Sequence, residues 1–320
     1  MLEIDLERIK EAQKRIAGII LKTPLTRSEY LSKISHNPIY LKLENLQKTN
    51  SFKIRGAFNR MSLLTKNEKA QGVVAASSGN HAQGVAMSAE YLKISAILVV
   101  PSMISRNKLE KLKKYKVTII PKGDFTTIEP DARDISRKDG LIYISPYNDV
   151  DVIAGQGTIG LEIFEELPQV DYIIAPVGGG GLISGIAIAA KSINPEVVII
   201  GVQTKGASTM YESWKKGHVV KVNEVNTLAD GLSGGLEEDA LTFHIIQNYV
   251  DKIELVKEES VRSAISILYE KEGQIVEGAG ATVVAYILEK RLEFSDKNVV
   301  AIISGGNIEK TLFQEIIGKK

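Results

Sequence analysis

Four short stretches hold residue types that could do chemistry. The first is Thr49-Asn50-Ser51-Phe52-Lys53-Ile54-Arg55-Gly56-Ala57. Its lysine follows an apolar, strand-like run at 39–43 and opens a helical run at 52–64, which Asn50 or Ser51 can cap. An ammonium in a first helical turn meets the partial positive charge of the helix N-terminus. If the site is also dry, its pKa falls, which suits a lysine that forms a Schiff base. The second stretch is Gly178-Gly179-Gly180-Gly181. Glycines let backbone N–H groups approach a phosphate, and the following helix adds its positive end. No Lys-Ser/Thr follows, so this is not a Walker loop and ATP is disfavoured. The third, Ser77-Ser78-Gly79-Asn80-His81, offers hydroxyls, an amide and helix-start N–H groups that could hold a carboxylate, although a plain N-cap uses the same residue types. The fourth, Ser304-Gly305-Gly306-Asn307, follows an apolar run and can present one hydroxyl to a planar ligand at close range.

The surrounding elements alternate. A helix is expected over 5–20, ended by Thr23-Pro24-Leu25. Strands at 39–43, 73–76, 96–100, 117–120 and 141–144 interleave with helices at 52–64, 82–92, 108–115 and 127–137. A stretch with Pro146, Asn148 and Asp149, at 145–151, reads as a domain crossing. Helices at 159–166, 182–192, 207–216, 239–248, 259–272 and 281–292 then alternate with strands at 172–175, 197–202, 252–256 and 299–303. Uniformly apolar strands in βα alternation predict an α/β fold, with parallel sheets covered by helices on both faces. The last three stretches then fall at the carboxyl ends of strands, where open α/β sheets bind ligands.

Composition removes other functions. The 320 residues suit one large or two ordinary domains. Forty basic against 39 acidic residues leave a net charge of +1, which gives no electrostatic reason to expect nucleic acid or an anionic membrane. The absence of cysteine excludes disulfides, thiolate metal sites and a cysteine nucleophile. Four histidines offer little for a metal site. The N-terminus, Met1-Leu2-Glu3-Ile4-Asp5, is acidic and lacks an apolar signal core, so a cytoplasmic protein is expected. The uncharged run 172–190 is long enough to span a membrane, but Pro176 and four glycines would break the helix. It reads as a strand, a glycine loop and a helix.

Taken together and in this order, the motifs resemble the fold-type II pyridoxal 5′-phosphate (PLP) enzymes, most closely the catabolic threonine dehydratase and serine racemase group. The resemblance runs from Thr23-Pro24-Leu25 through Ser51-Phe52-Lys53-Ile54-Arg55-Gly56-Ala57, Ser77–His81, Val152-Ile153-Ala154-Gly155-Gln156-Gly157-Thr158, the glycine loop, Ala229-Asp230-Gly231 and Glu277 to Ser304-Gly305-Gly306-Asn307. It implies a tryptophan-synthase-β-like fold of two open, twisted, mostly parallel sheets. Residues 1–62 and 147–320 would form a large PLP-binding domain, and 63–146 a small domain that closes over substrate. Lys53 would carry PLP covalently and act as the base at Cα. Gly178, Gly179, Gly180 and Gly181, with the Leu182 amide, would hold the phosphate. Asn80 would bond the ring 3′-oxygen, Phe52 and Gly231 would flank the ring, and Ser304 would meet the pyridine nitrogen. Glu277 would belong to the same cofactor set. Ser77, Ser78, Gly79, Asn80 and His81 would cradle the substrate carboxylate, with Ser78 facing Cα from the side opposite Lys53. The implied reaction converts L-threonine to 2-oxobutanoate and ammonia, and L-serine to pyruvate, in a homodimer or homotetramer.

This sequence departs from the family pattern in places. Asn50 stands where glycine is usual, and Gly278 follows Glu277 where proline is common. The cation site of serine racemases uses two acids around an alanine; here the matching positions look like Gln203, Ala207 and Thr209, so no metal is expected to bind well. The sequence ends soon after Ser304, so the C-terminal regulatory domain of biosynthetic threonine deaminases is not expected here. A serine racemase or serine dehydratase would share every motif. A non-catalytic α/β protein that binds a phosphate ligand is the non-enzyme alternative.

Overall fold

The computed structural model describes residues 4–318 except 125, 224 and 291. Met1, Leu2 and Glu3, part of the N-terminal reading above, lie outside the described residues. Ten strands are present among them: β1 (Leu25–Ser28), β2 (Ile39–Leu43), β3 (Val73–Ala76), β4 (Ala96–Val100), β5 (Thr118–Pro121), β6 (Ile142–Tyr143), β7 (Tyr172–Pro176), β8 (Val198–Thr204), β9 (Lys252–Val256) and β10 (Val299–Ile303). They form two sheets, β1-β2-β10-β7-β8-β9 and β5-β4-β3-β6. β1 pairs antiparallel with β2, and the other pairings are parallel. This is the expected α/β architecture. Strands buried on both faces must be apolar throughout, and β3 and β10 are buried at every position. β5 lies at an edge, is partly exposed and ends in Pro121, where a missing N–H costs no ladder bond.

Two helices needed more than local pattern. The helix expected at 159–166 runs from Val150 to Glu166, and Asp149 caps it by accepting from the N–H groups of Asp151 and Val152. Gly155 and Gly157 lower its intrinsic propensity. Both are required by contacts that sequence alone does not show. A Cβ on Gly155 would lie 2.6 Å from the Arg55 carbonyl oxygen, and one on Gly56 2.6 Å from that of Val152. The helices Lys53–Ser62 and Val150–Glu166 therefore meet backbone to backbone.

A buried ion network fixes their register. Arg55, fully buried, donates to both carboxylate oxygens of Glu44 at 2.8 Å and to those of Glu162 at 2.6 and 2.9 Å. Its remaining bonds go to Thr158 Oγ1 and the Leu21 carbonyl, both at 3.1 Å. Lys42, also fully buried, donates to Glu162 at 2.7 Å and to the Thr23 carbonyl at 2.6 Å. Two cations and two carboxylates cancel, and their hydrogen bonds offset much of the desolvation cost.

The expected cap of the lysine helix is not made. Phe52 is the N-cap residue and makes no side-chain capping bond. Residues 50–52 are engaged elsewhere: Phe52 N–H donates to the Ser304 carbonyl at 3.1 Å, and Gly306 N–H donates to the Asn50 carbonyl at 2.9 Å. Ser51 bridges Gly305 in the same pairing. Asn50 sits at φ +53°, which explains how asparagine replaces the usual glycine, since asparagine tolerates the left-handed region. Among the described residues no helix is long and apolar enough to cross a membrane. The single tryptophan, Trp214, packs against the core of the first sheet, on the side that holds Phe243 and Ile246.

Candidate active site

The four chemical stretches are joined by one circuit of contacts. Gly84, in the helix Asn80–Leu92, packs on the first turn of the lysine helix: a Cβ there would lie 3.1 Å from the Lys53 carbonyl carbon. Lys53 Nζ donates to the Pro146 carbonyl at 2.8 Å. The next residue, Tyr147, lies against the glycine loop, where a Cβ on Gly179 would come within 2.5 Å of its ring. Gly178 abuts the 231–232 segment, 3.1 Å from Leu232 Cα by the same measure. Gly231 faces Glu277 at 3.9 Å, again measured from a Cβ. Glu277 accepts from Asn80 Nδ2 at 2.6 Å and leaves no room for a side chain at Gly305. Ser304 then returns to Phe52 through the backbone bond already described.

Electrostatics inside the circuit follow from burial. Protein surrounds the Lys53 amine, and this pushes its pKa down to about 8, with attraction from Glu277 opposing the shift. Lys53 as a whole residue is half-buried. Its Nζ also lies 5.2 Å from the centre of the Phe52 ring. Burial raises Glu277 to about 7, Asp230 adds to this, and hydrogen bonds from Asn80 and the Asn307 N–H hold it back. Burial, helped by Lys53, drops His81 to about 3, so its ring is neutral. Nε2 of that ring lies 2.9 Å from the Ile144 carbonyl, which only accepts, so Nε2 carries the hydrogen. The expectation that His81 helps cradle a carboxylate therefore narrows to its backbone N–H, because the side chain is committed. Ser77 Oγ accepts from Gly79 N–H at 3.1 Å, and Ser78 is buried beside it.

The sequence assigned no individual role in the site to Pro146, Tyr147, Asn307 or Lys111. Pro146 gives a backbone carbonyl and Tyr147 a packed ring. Asn307 donates to Asn80 Oδ1 at 2.8 Å, and its N–H donates to Glu277 Oε2 at 3.0 Å. Lys111, half-buried and lowered in pKa chiefly by that burial, donates to Asn307 Oδ1 at 3.1 Å from the second sheet's side. Gly278 follows from packing, since a Cβ there would lie 1.9 Å from the Leu228 carbonyl oxygen. Gln203 is buried, and its Oε1 accepts from Tyr211 N–H at 2.7 Å.

The groups fit a pyridoxal phosphate. Among the described residues, no protein acceptor takes the N–H groups of Gly178, Gly179 or Gly180, and Gly180 at φ +87° opens the helix Gly181–Ile193 with no side-chain cap. Uncapped donors at a helix N-terminus suit a phosphate. A buried amine in the same circuit suits an aldehyde.

Comparison with known proteins agrees with that fit. Residues 16–305 match the family described as pyridoxal-phosphate dependent enzyme. The chain is 46% identical over 317 residues to the L-threonine ammonia-lyase of Thermotoga maritima, covering 99% of this chain and 79% of that protein. It is 43% identical over 320 residues to the catabolic L-threonine dehydratase TdcB of Escherichia coli, covering 99% and 97%. The solved structure of maize serine racemase superposes with a TM-score of 0.93 at 35% identity, covering 98% of this chain and 97% of that one. A match over most of the chain, joined to a lysine linked through Pro146 and Tyr147 to a glycine loop, leads to one conclusion: this chain belongs to the pyridoxal-phosphate dependent enzyme family, with the fold of its type II members.

Proposed function

We propose that this protein is a PLP-dependent ammonia-lyase that converts L-threonine to 2-oxobutanoate and ammonia, and L-serine to pyruvate. The observation that carries this reading is the desolvated Lys53 amine, set in one contact circuit with a glycine loop whose donors lack acceptors. The relatives named threonine ammonia-lyase and threonine dehydratase support the substrate. Bound PLP supplies an electron sink for the charge left at Cα. Lys53 holds the cofactor and, when free, takes the Cα proton. Gly178 to Gly181 and the Leu182 amide hold the phosphate. Phe52 and Gly231 line the ring faces, Asn80 with Glu277 orients the ring edge, and the Ser304 hydroxyl meets the ring nitrogen. The Ser77–His81 turn receives the substrate carboxylate through its N–H groups. The 63–146 segment closes over the substrate.

A racemase is the second reading, supported by the maize serine racemase likeness and by Ser78, a buried hydroxyl in the turn that leads to Asn80. Products from L-threonine, L-serine and D-serine, measured side by side, separate the two. 2-Oxobutanoate from L-threonine is expected; D-serine from L-serine with no oxo acid would overturn the lyase reading. We also propose a cytoplasmic homodimer or homotetramer, to be read by light scattering in solution.

A further inference from the structure

The segment between β6 and the helix Val150–Glu166 is pinned at successive residues. Ile144 N–H donates to the Val74 carbonyl at 2.9 Å, and the Ile144 carbonyl accepts from His81. Ser145 Oγ accepts from the N–H groups of Tyr147 and Asn148, at 3.4 and 3.0 Å. Pro146 has a fixed φ and no N–H of its own, and its carbonyl holds Lys53 Nζ. Tyr147 OH accepts from Glu237 N–H at 3.1 Å, and Asn148 Oδ1 accepts from Leu241 N–H at 2.8 Å.

We propose that Pro146 and Tyr147 form a positioning joint, in which the Pro146 carbonyl docks the Lys53 amine whenever that amine is free and the Tyr147 ring fixes the dock against the Gly178–Gly181 loop. The two functions share one peptide unit, since the docking carbonyl belongs to the bond that ends at Tyr147 N. The ring lies against Gly179, where a Cβ would fall 2.5 Å from it, and the Tyr147 backbone lies against Gly181, where a Cβ would fall 3.0 Å from Tyr147 Cα. A shift at Gly179 or Gly181 therefore moves Tyr147 and turns the dock, whereas a Cβ on Gly180 would meet Ile246, Met210 and Thr242 instead. A carbonyl accepts more strongly from an ammonium than from a neutral amine. A lysine that has just gained a proton is thus held at the dock, which slows return of that proton to the carbon it left. This inference rests on Lys53 being the cofactor lysine.

Two measurements separate the joint from that reading. Borohydride reduction of the holoenzyme and peptide mapping are expected to find the cofactor on Lys53; another lysine would overturn the reading and the joint together. The joint itself is tested in the full-length chain freed of cofactor, by trace acetylation of Lys53 against pH, read by mass spectrometry. Tyr147→Leu should lower the Lys53 midpoint by about half a pH unit or more and weaken cofactor binding about tenfold. Tyr147→Phe, which keeps the ring, should leave the midpoint in place. Gly180→Ala should weaken cofactor binding without moving the midpoint. Should Tyr147→Leu fail to fold, Ser145→Ala must lower the midpoint, because it frees the two N–H groups that shape the turn. Label on Lys53 with an unmoved midpoint, or an equal shift in Gly180→Ala, overturns the joint alone.

Discussion

In the proposed reaction Lys53 has two demands on it: it must be neutral enough to take a proton and able to hold that proton once gained. Burial meets the first and the Pro146 carbonyl the second. Lys53→Ala should leave the far-ultraviolet spectrum intact and abolish both borohydride-fixed cofactor and 2-oxobutanoate formation; near-normal turnover in the purified variant would remove Lys53 from the chemistry. Glu277 makes a different prediction. Its pKa is near 7 folded against an ordinary 4.5. A group raised on folding contributes stability that is fully present below the unfolded value and is lost as pH climbs through the folded one. Thermal melting of the holoenzyme should therefore fall between pH 4.5 and about 7 more steeply than in Glu277→Gln; parallel curves would place the titration elsewhere. Ser304 offers a neutral hydroxyl where a carboxylate would favour a protonated ring nitrogen. Ser304→Asp should slow elimination and increase exchange of the Cα hydrogen with deuterated solvent. Unchanged rate and exchange, with normal cofactor binding, would show that Ser304 does not meet that nitrogen.

At the level of elements, the lysine helix is held by ions rather than by a cap. Arg55→Met would leave Glu44 and Glu162 facing Lys42 alone in a dry interior, so a loss of about 3–5 kcal/mol is expected. Arg262→Met, which breaks an exposed pair with Glu315, should cost less than about 1 kcal/mol. Urea midpoints of the two variants check the contrast. The same elements show what sequence can and cannot reveal. β2, β3, β4 and β10 begin and end where the sequence places them, because interior strands covered on both faces are written mostly in apolar residues. β1 was not legible: Leu-Thr-Arg-Ser is a polar edge strand. The first turns of the helix Val150–Glu166 were not legible either, since the reason for their glycines is a partner helix about a hundred residues away in the chain. The glycine loop and the lysine motif were legible as contiguous patterns. Pro146, Tyr147 and Lys111 were not, because a carbonyl, a packed ring and a long reach leave no local mark.

Across the whole molecule, the second sheet's side reaches the first through part-exposed side chains besides Asn80. Lys108 pairs with Asp230 at 2.9 Å, Ser105 donates to Glu309 at 3.0 Å, and Lys111 donates to Asn307. Such part-exposed contacts add little stability. Lys111→Met should shift the melting temperature little yet raise KM for L-threonine, since Asn307 touches both Asn80 and Glu277; an unchanged KM would make the contact incidental. EDTA should alter activity little, because Gln203 already spends its acceptor on Tyr211 N–H. A different use follows from the position of Trp214. It is the only indole in the chain, and it rests on the core of the first sheet. Red-edge excitation therefore makes emission a private reporter of that half. Circular dichroism, by contrast, averages over every helix, so a gap between the two denaturation curves would time the loosening of the β3–β6 half separately, with no label attached.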